Sequence, residues 1–98
     1  MYLKIHQNVQ GSVVAVCDAE LIGRVIEDKN GCLDLKAYRD FYRGEKARAD
    51  EVKAALRSFG SANIVGKKAV NVVLELGLAD LDEVKYINTI PYIQLYRI

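Results

Sequence analysis

The stretch SANIVGKKAVNVVLELG, residues 61–77, decides how the rest of the chain must be arranged. Ser61 is a residue type that caps helices, and Gly77 is a natural helix stop. Between them, Ile64, Val65, Val70, Val72, Val73, Leu74 and Leu76 leave polar surface at little more than Lys67, Lys68, Asn71 and Glu75. The pattern predicts one helix, apolar around most of its circumference and therefore packed centrally against a sheet. Ala62, Gly66, Ala69 and Val73 form a small-residue stripe at helical spacing. A mid-helix glycine costs about 1 kcal/mol relative to alanine, so close packing at Gly66 is the expected compensation.

The elements before and after this stretch supply the sheet it needs. Residues 2–7 alternate apolar and polar, with Leu3 and Ile5 on one face, which predicts a half-buried strand. Residues 8–11 are turn chemistry, and residues 12–17, SVVAVC, are a β-branched run suited to a central strand. Asp18 is placed to cap a short turn ending at Gly23. Residues 24–28 and 32–36 flank Lys29, Asn30 and Gly31, a strong hairpin signal, with Leu33 and Leu35 inward and Asp34 and Lys36 outward. Residues 37–49 have no clean period and read as a connection with one helical turn. Val52, Ala55, Leu56 and Phe59 mark an amphipathic helix over residues 50–59, stopped by Gly60. Asp80 and Glu83 have capping-box spacing before a strand start at residues 84–88. Pro91 demotes its position to a bend or sheet edge, and residues 92–98 alternate as a closing strand. The expected fold is a single α+β domain over residues 1–98, with a mostly antiparallel sheet of about five strands packed against two helices.

Composition narrows function by exclusion. The 98 residues are 51% hydrophobic and 28% charged, ordinary values for a globular domain. Fourteen basic residues against thirteen acidic ones give no global charge that argues for a partner. Nothing at the N-terminus pairs a charged leader with a long apolar run, and no stretch is long enough to span a membrane, so a cytoplasmic location is expected. Cys17 and Cys32 lack Cys-x-x-Cys spacing, and a single His cannot complete a zinc set. No metal or cofactor is expected. Residues 60–68, GSANIVGKK, resemble a phosphate-binding loop but fail on spacing. Five residues separate the glycines where a Walker loop has four, and Lys68 stands where a magnesium-binding Ser or Thr should be.

Five short strings run in order along the chain: Cys17-Asp18-x-Glu20-Leu21-x-Gly23, Phe41-Tyr42-x-Gly44, Ala62-Asn63-Ile64-Val65-Gly66, Leu76-Gly77-Leu78 and Ile90-Pro91-Tyr92-x-Gln94. In these strings the chain resembles the small archaeal proteins grouped as domain of unknown function 424, over nearly its whole length. The resemblance implies an archaeal, cytosolic, single-domain protein and brings no established activity. The family pattern expects His where Tyr92 stands, so no histidine role carries over. A link to translation is a loose expectation attached to such small archaeal proteins.

Two surfaces are candidates for function. Residues 36–57 carry Lys36, Arg39, Arg43, Lys46, Arg48, Lys53 and Arg57 against Asp40, Glu45, Asp50 and Glu51, a local basic surplus. Tyr38, Phe41 and Tyr42 are interleaved with the first arginines. Basic side chains hold phosphates and aromatic rings stack on unpaired bases. Lys36, Tyr38, Arg39, Tyr42, Arg43, Lys46 and Arg48, joined by Lys67 and Lys68, are therefore the candidate contacts to ribosomal RNA or tRNA. The competing reading is a solvated loop whose aromatics fold back onto the core. Ser61 and Asn63, at the expected helix start, are candidates for an anion or partner, and Tyr92 and Gln94 share the outward face of the last strand with Tyr96. Such a strand can pair with a protein partner or a second copy.

The leading expectation is a non-enzymatic RNA- or ribosome-associated binding module. The alternative is a protein-interaction module or homodimer built on the C-terminal strand. Enzyme activity stands third. It needs a polar pocket converging on Asn63, Glu20 and Cys17, and the carboxylates beside Cys17 disfavour its thiolate.

Overall fold

The computed structural model describes residues 1–9 and 11–97. Its eight strands are β1 (Tyr2–Asn8), β2 (Gly11–Cys17), β3 (Val25–Asp28), β4 (Gly31–Asp34), β5 (Glu45–Lys46), β6 (Ser61–Val65), β7 (Lys85–Ile87) and β8 (Ile90–Tyr96). Its helices are α1 (Arg39–Tyr42), α2 (Ala49–Ala55) and α3 (Lys67–Glu75), with 3-10 turns at Ala19–Leu21 and Leu81–Glu83. The main sheet has six strands in the order β5-β1-β2-β6-β8-β7, and β3 and β4 form a separate hairpin. All neighbours are antiparallel except β2 and β6. The α+β class and the mostly antiparallel sheet are as the sequence predicts, with one more strand in the main sheet and one more, very short helix.

The decisive stretch splits in two. Residues 61–65 form β6, flanked by β2 on one side and β8 on the other. Only residues 67–75 are helical. A short apolar run cannot be assigned to strand or helix by periodicity, and here pairing on both edges wins. Ala62 and Ile64 face the helices, while Asn63 and Val65 face the opposite side. The stripe of small residues therefore has no helical continuity. Ser61 and Asn63 lie on a strand, so the anion site expected at a helix start there does not form.

Gly66 is the joint between β6 and α3. Its φ of 108° suits glycine, and a Cβ there would lie 2.3 Å from the Asp18 Cγ. Asp18 approaches so closely because it caps α3. Its buried carboxylate accepts the backbone N–H of Lys68 at 3.0 Å and of Ala69 at 2.9 Å. The Asp18 side chain makes no cap bond to the short turn that follows it, contrary to the sequence expectation. A cap supplied from fifty residues away satisfies the helix's free donors as well as a local one does.

The main core lies on one face of the sheet. Val14, Val16, Ala62, Ile64, Ile93 and Leu95 meet Val52, Leu56 and Phe59 from the α2 region and Ala69, Val70, Val72 and Val73 from α3. An ion pair at 2.9 Å between Lys53 and Glu75 joins the two helices at the surface. A second, smaller core of Cys17, Leu21, Ile26, Leu35, Val65 and Ile87 sits on the other face, under the β3–β4 hairpin. That hairpin turns as expected at Lys29 and Asn30. Its Asp28 carboxylate accepts the Asn30 N–H at 2.7 Å and the Asn88 N–H at 2.6 Å, tying it to the turn between β7 and β8. Part of the turn expected over residues 8–11 falls on Gln10, outside the described residues.

The closing strand is not a plain edge. β8 runs between β6 and β7, and Pro91 lies inside it. The Pro91 carbonyl accepts the Gly66 N–H at 2.8 Å, so its missing N–H faces the β6 side, beyond the last pair, Val65 with Tyr92. No ladder bond is lost there. β7 pairs only with Ile90 to Tyr92, and among the described residues no strand covers the outer edge of β8 from Ile93 to Tyr96.

Candidate functional site

The second face of the sheet carries the candidate site. Strand register sets its residues in rows: Tyr2, Cys17, Val65 and Tyr92; then Lys4, Ala15, Asn63 and Gln94; then His6, Val13, Ser61 and Tyr96. The β3–β4 hairpin covers the first row and leaves the second partly open. The Asp34 carboxylate accepts the Ala37 N–H at 2.8 Å and so helps bend the chain from β4 towards α1.

Contacts with β1 hold α1 in place. The His6 ring stacks on Phe41 at 4.6 Å and 7°, and its Nε2 lies 2.8 Å from the Phe41 carbonyl oxygen. The Lys4 ammonium donates to the Asp40 carbonyl at 2.5 Å. Gly44 permits the chain to return beside β1, since a Cβ there would strike the Leu3 carbonyl oxygen at 2.2 Å.

Between these parts lies a cleft of about 490 Å³. β6 and β8 contribute Asn63, Val65, Tyr92 and Gln94; β4 and its flank contribute Leu33, Asp34 and Leu35; the α1 region contributes Tyr38, Phe41 and Tyr42. The lining is largely apolar and aromatic. The Gln94 amide donates to the Asn63 carbonyl oxygen at 3.0 Å, giving the cleft a linked amide pair. A concave apolar site with a few converging polar groups is the general form of a ligand site.

The structure thus joins five of the candidate residues: Tyr38 and Tyr42 from the basic segment, and Asn63, Tyr92 and Gln94 from the strands. The aromatics of the basic segment divide. Phe41 and Tyr42 are partly buried, whereas Tyr38 is 64% exposed. Lys36, Arg39 and Arg43 are exposed beside Tyr38 and Tyr42 in the chain. Lys46 lies on β5, and Arg48 is held by Asp50 at 3.3 Å. Lys67 and Lys68 begin α3, which packs on the opposite face of the sheet. Ser61 shares the open face but does not line the cleft. The contributions of Leu33, Asp34 and Leu35 were missed in the sequence, because inward leucines read simply as core; the turn signal at residues 29–31 was the only hint that they would fold over this face.

The groups considered for catalysis stay apart. Cys17 is buried, its sulfur donates to the Asp18 carbonyl at 3.4 Å, and burial, then Asp18, then Glu20, push its thiol up to about 12. Tyr42 is likewise pushed up to about 12, by burial first and then by the Cys17 sulfur. Glu20 is exposed, and neither it nor Cys17 lines the cleft. Asp80, Asp82 and Glu83 cluster on an exposed turn, where Glu83 accepts the Asp80 N–H at 2.9 Å, the reach-back bond that their spacing predicts.

Comparison with known proteins bears on this arrangement. The sequence pattern of the family described as "Protein of unknown function (DUF424)" matches residues 5–98. The chain belongs to that family. A solved structure, an uncharacterized conserved protein from Methanopyrus kandleri, is similar to this DUF424 chain at 28% identity and a TM-score of 0.79, covering 97% of this chain and 89% of the other. No curated protein matches the chain. Of the strings that carry the DUF424 resemblance, Asp18 and Gly66 make the strand–helix joint, and Tyr42, Asn63, Tyr92 and Gln94 meet in or beside the cleft. Tyr92 is one of the lining side chains.

No helix among the described residues is long and apolar enough to cross a membrane.

Proposed function

We propose that this chain is a non-enzymatic RNA- or ribosome-associated binding module of the archaeal cytosol. It takes unpaired RNA across the open sheet face, with one base in the cleft beside the Asn63–Gln94 pair. The observation that carries this reading is the convergence of Tyr38, Tyr42 and Tyr92 on an amide pair, next in the chain to Lys36, Arg39 and Arg43. Aromatic faces stack on bases without needing a given sequence, amides address base edges, and exposed cations hold the phosphates.

The test is filter binding of ribosomal RNA and tRNA at rising salt. Three phosphate contacts on a single strand give a log–log slope near −2, so affinity should fall about 100-fold when salt rises about tenfold. No binding at low salt sinks the reading.

A second reading has one observation of its own. Among the described residues no strand covers the outer edge of β8 from Ile93 to Tyr96, where Tyr96 is exposed. Such an edge accepts a strand from a protein partner or a second copy. Light scattering that stays monomeric at high concentration, together with a pull-down that captures no protein, removes its support.

A further inference from the structure

The geometry points to an adenine base as the occupant of the cleft, read along one edge by Asn63 and Gln94. This assignment deepens the RNA-binding reading and rests on it. Asn63 and Gln94 are direct cross-strand partners, and one amide hydrogen bond joins them. With that bond made, the Asn63 amino group remains a donor and the Gln94 carbonyl remains an acceptor. Reversing both amides exchanges the roles but leaves the same sum, one donor group beside one acceptor.

Adenine answers that pair on both of its accessible edges. Its N6 amino group lies next to N1 on one edge and next to N7 on the other, so either approach satisfies the pair. Guanine matches on one edge only, because O6 and N7 are both acceptors. Its N2 amino group would need a further acceptor, and the carboxylate in the lining, Asp34, already accepts the Ala37 N–H. Pyrimidines match the amides but present a smaller face to Tyr38, Tyr42 and Tyr92.

The charge of the lining indicates where the phosphates go. Asp34 is the one charged side chain among the described lining residues, and no Lys or Arg joins it. A base can enter this lining, but a phosphate cannot be neutralised in it. The sugar-phosphate part must therefore stay outside, where Lys36, Arg39 and Arg43 are exposed. An adenine base can come from an RNA strand or from a free nucleotide, and only the strand carries further phosphates to reach those cations.

The experiment is fluorescence anisotropy with labelled nonamers of A, G, C and U, repeated with Asn63→Ala and Gln94→Ala, with adenosine monophosphate as competitor. The A nonamer should bind at least about tenfold more tightly than the G nonamer, the discrimination expected of one good paired edge contact. Each alanine variant should weaken binding of the A nonamer and bring that ratio close to one. Gln94 is exposed, so its variant tests recognition without threatening the fold. An A-to-G ratio near one in the parent chain, or a ratio that survives in both variants, overturns the base assignment and leaves the RNA reading standing. No binding by any nonamer overturns the RNA reading. If adenosine monophosphate alone then binds in calorimetry in a manner lost in both variants, the base assignment holds for a free nucleotide; if it does not bind, both fall.

Discussion

Replacing Asp18 with alanine removes the cap of α3, and its cost can be worked out from the structure. The carboxylate is 2% exposed and accepts two backbone N–H groups, from Lys68 and Ala69. Hydrogen bonds to a charged group contribute about 1.5–3 kcal/mol each, and the favourable position at a helix N-terminus adds about 0.5 kcal/mol or more. These contributions overlap, so a loss of about 3 kcal/mol is the central expectation. In a domain of this size, 1 kcal/mol moves the melting temperature by about 4–8 °C, so Asp18→Ala should melt on the order of 15 °C lower. Asp18→Asn is the finer probe. Its carbonyl oxygen can keep one N–H, but its amino group must face the other donor. It should lose about half as much as the alanine variant. Thermal and urea unfolding followed by circular dichroism read both. A loss under about 1 kcal/mol for Asp18→Ala, in the range of an ordinary surface change, would refute the claim that a distant carboxylate holds the strand–helix joint.

Gly66→Ala places a side chain against Asp18 and forces a positive φ on a non-glycine residue. It should cost about 2 kcal/mol or more, or prevent folding, in the same unfolding assay. His6→Ala removes the ring stack and the polar contact that hold Phe41, so it should cost about 1–2 kcal/mol and weaken RNA binding together with stability. Cys17 is buried with its thiol held neutral, whereas Cys32 is exposed. A thiol reagent at pH 8 should therefore modify one cysteine in the native chain and two after unfolding, and rapid native modification of both would contradict the burial. Cys17 and Tyr42 also set the direction of alkaline sensitivity. The folded chain holds the Cys17 and Tyr42 protons more tightly than the unfolded chain, so their contribution is fully present below the ordinary values of 9.0 and 10.0. It is lost as the pH rises towards about 12, and a urea midpoint that climbs over this range would contradict the sign.

Much of this architecture can be read from local chemistry. The alternation of residues 2–7, the β-branched run of 12–17 and the Asn–Gly turn give two strands and a hairpin directly. Val52, Leu56 and Phe59 point to the second helix and all three are buried, but the helix runs only over Ala49–Ala55, and Phe59 reaches the core from the turn that follows rather than from a helix stopped by Gly60. What escaped depends on partners remote in sequence. Residues 61–65 suit helix or strand locally, and only β2 and β8 decide for strand. Asp18 reads as a local cap, yet its acceptors serve a helix that begins nearly fifty residues later. The β7–β8 turn uses positive φ at Asn88 and Thr89, and Thr is an unusual residue there, so the signal was faint. Asn63 was legible as an odd polar residue in an apolar stretch, though at an expected helix start, and Tyr92 and Gln94 as outward residues of the last strand. Their assembly with Tyr38 and Tyr42 followed from the sheet order, which no single segment encodes.

The central claim is that the Asn63–Gln94 cleft is where the chain meets RNA. The most direct measurement is an amide correlation spectrum of isotope-labelled protein titrated with a short A-rich RNA. The account expects the side-chain amide signals of Asn63 and Gln94 to move, with the backbone signals of Leu33, Tyr38 and Tyr92, while α2 and α3 stay still. Shifts confined to α2 and α3, or no shifts at RNA concentrations that saturate filter binding, would contradict it.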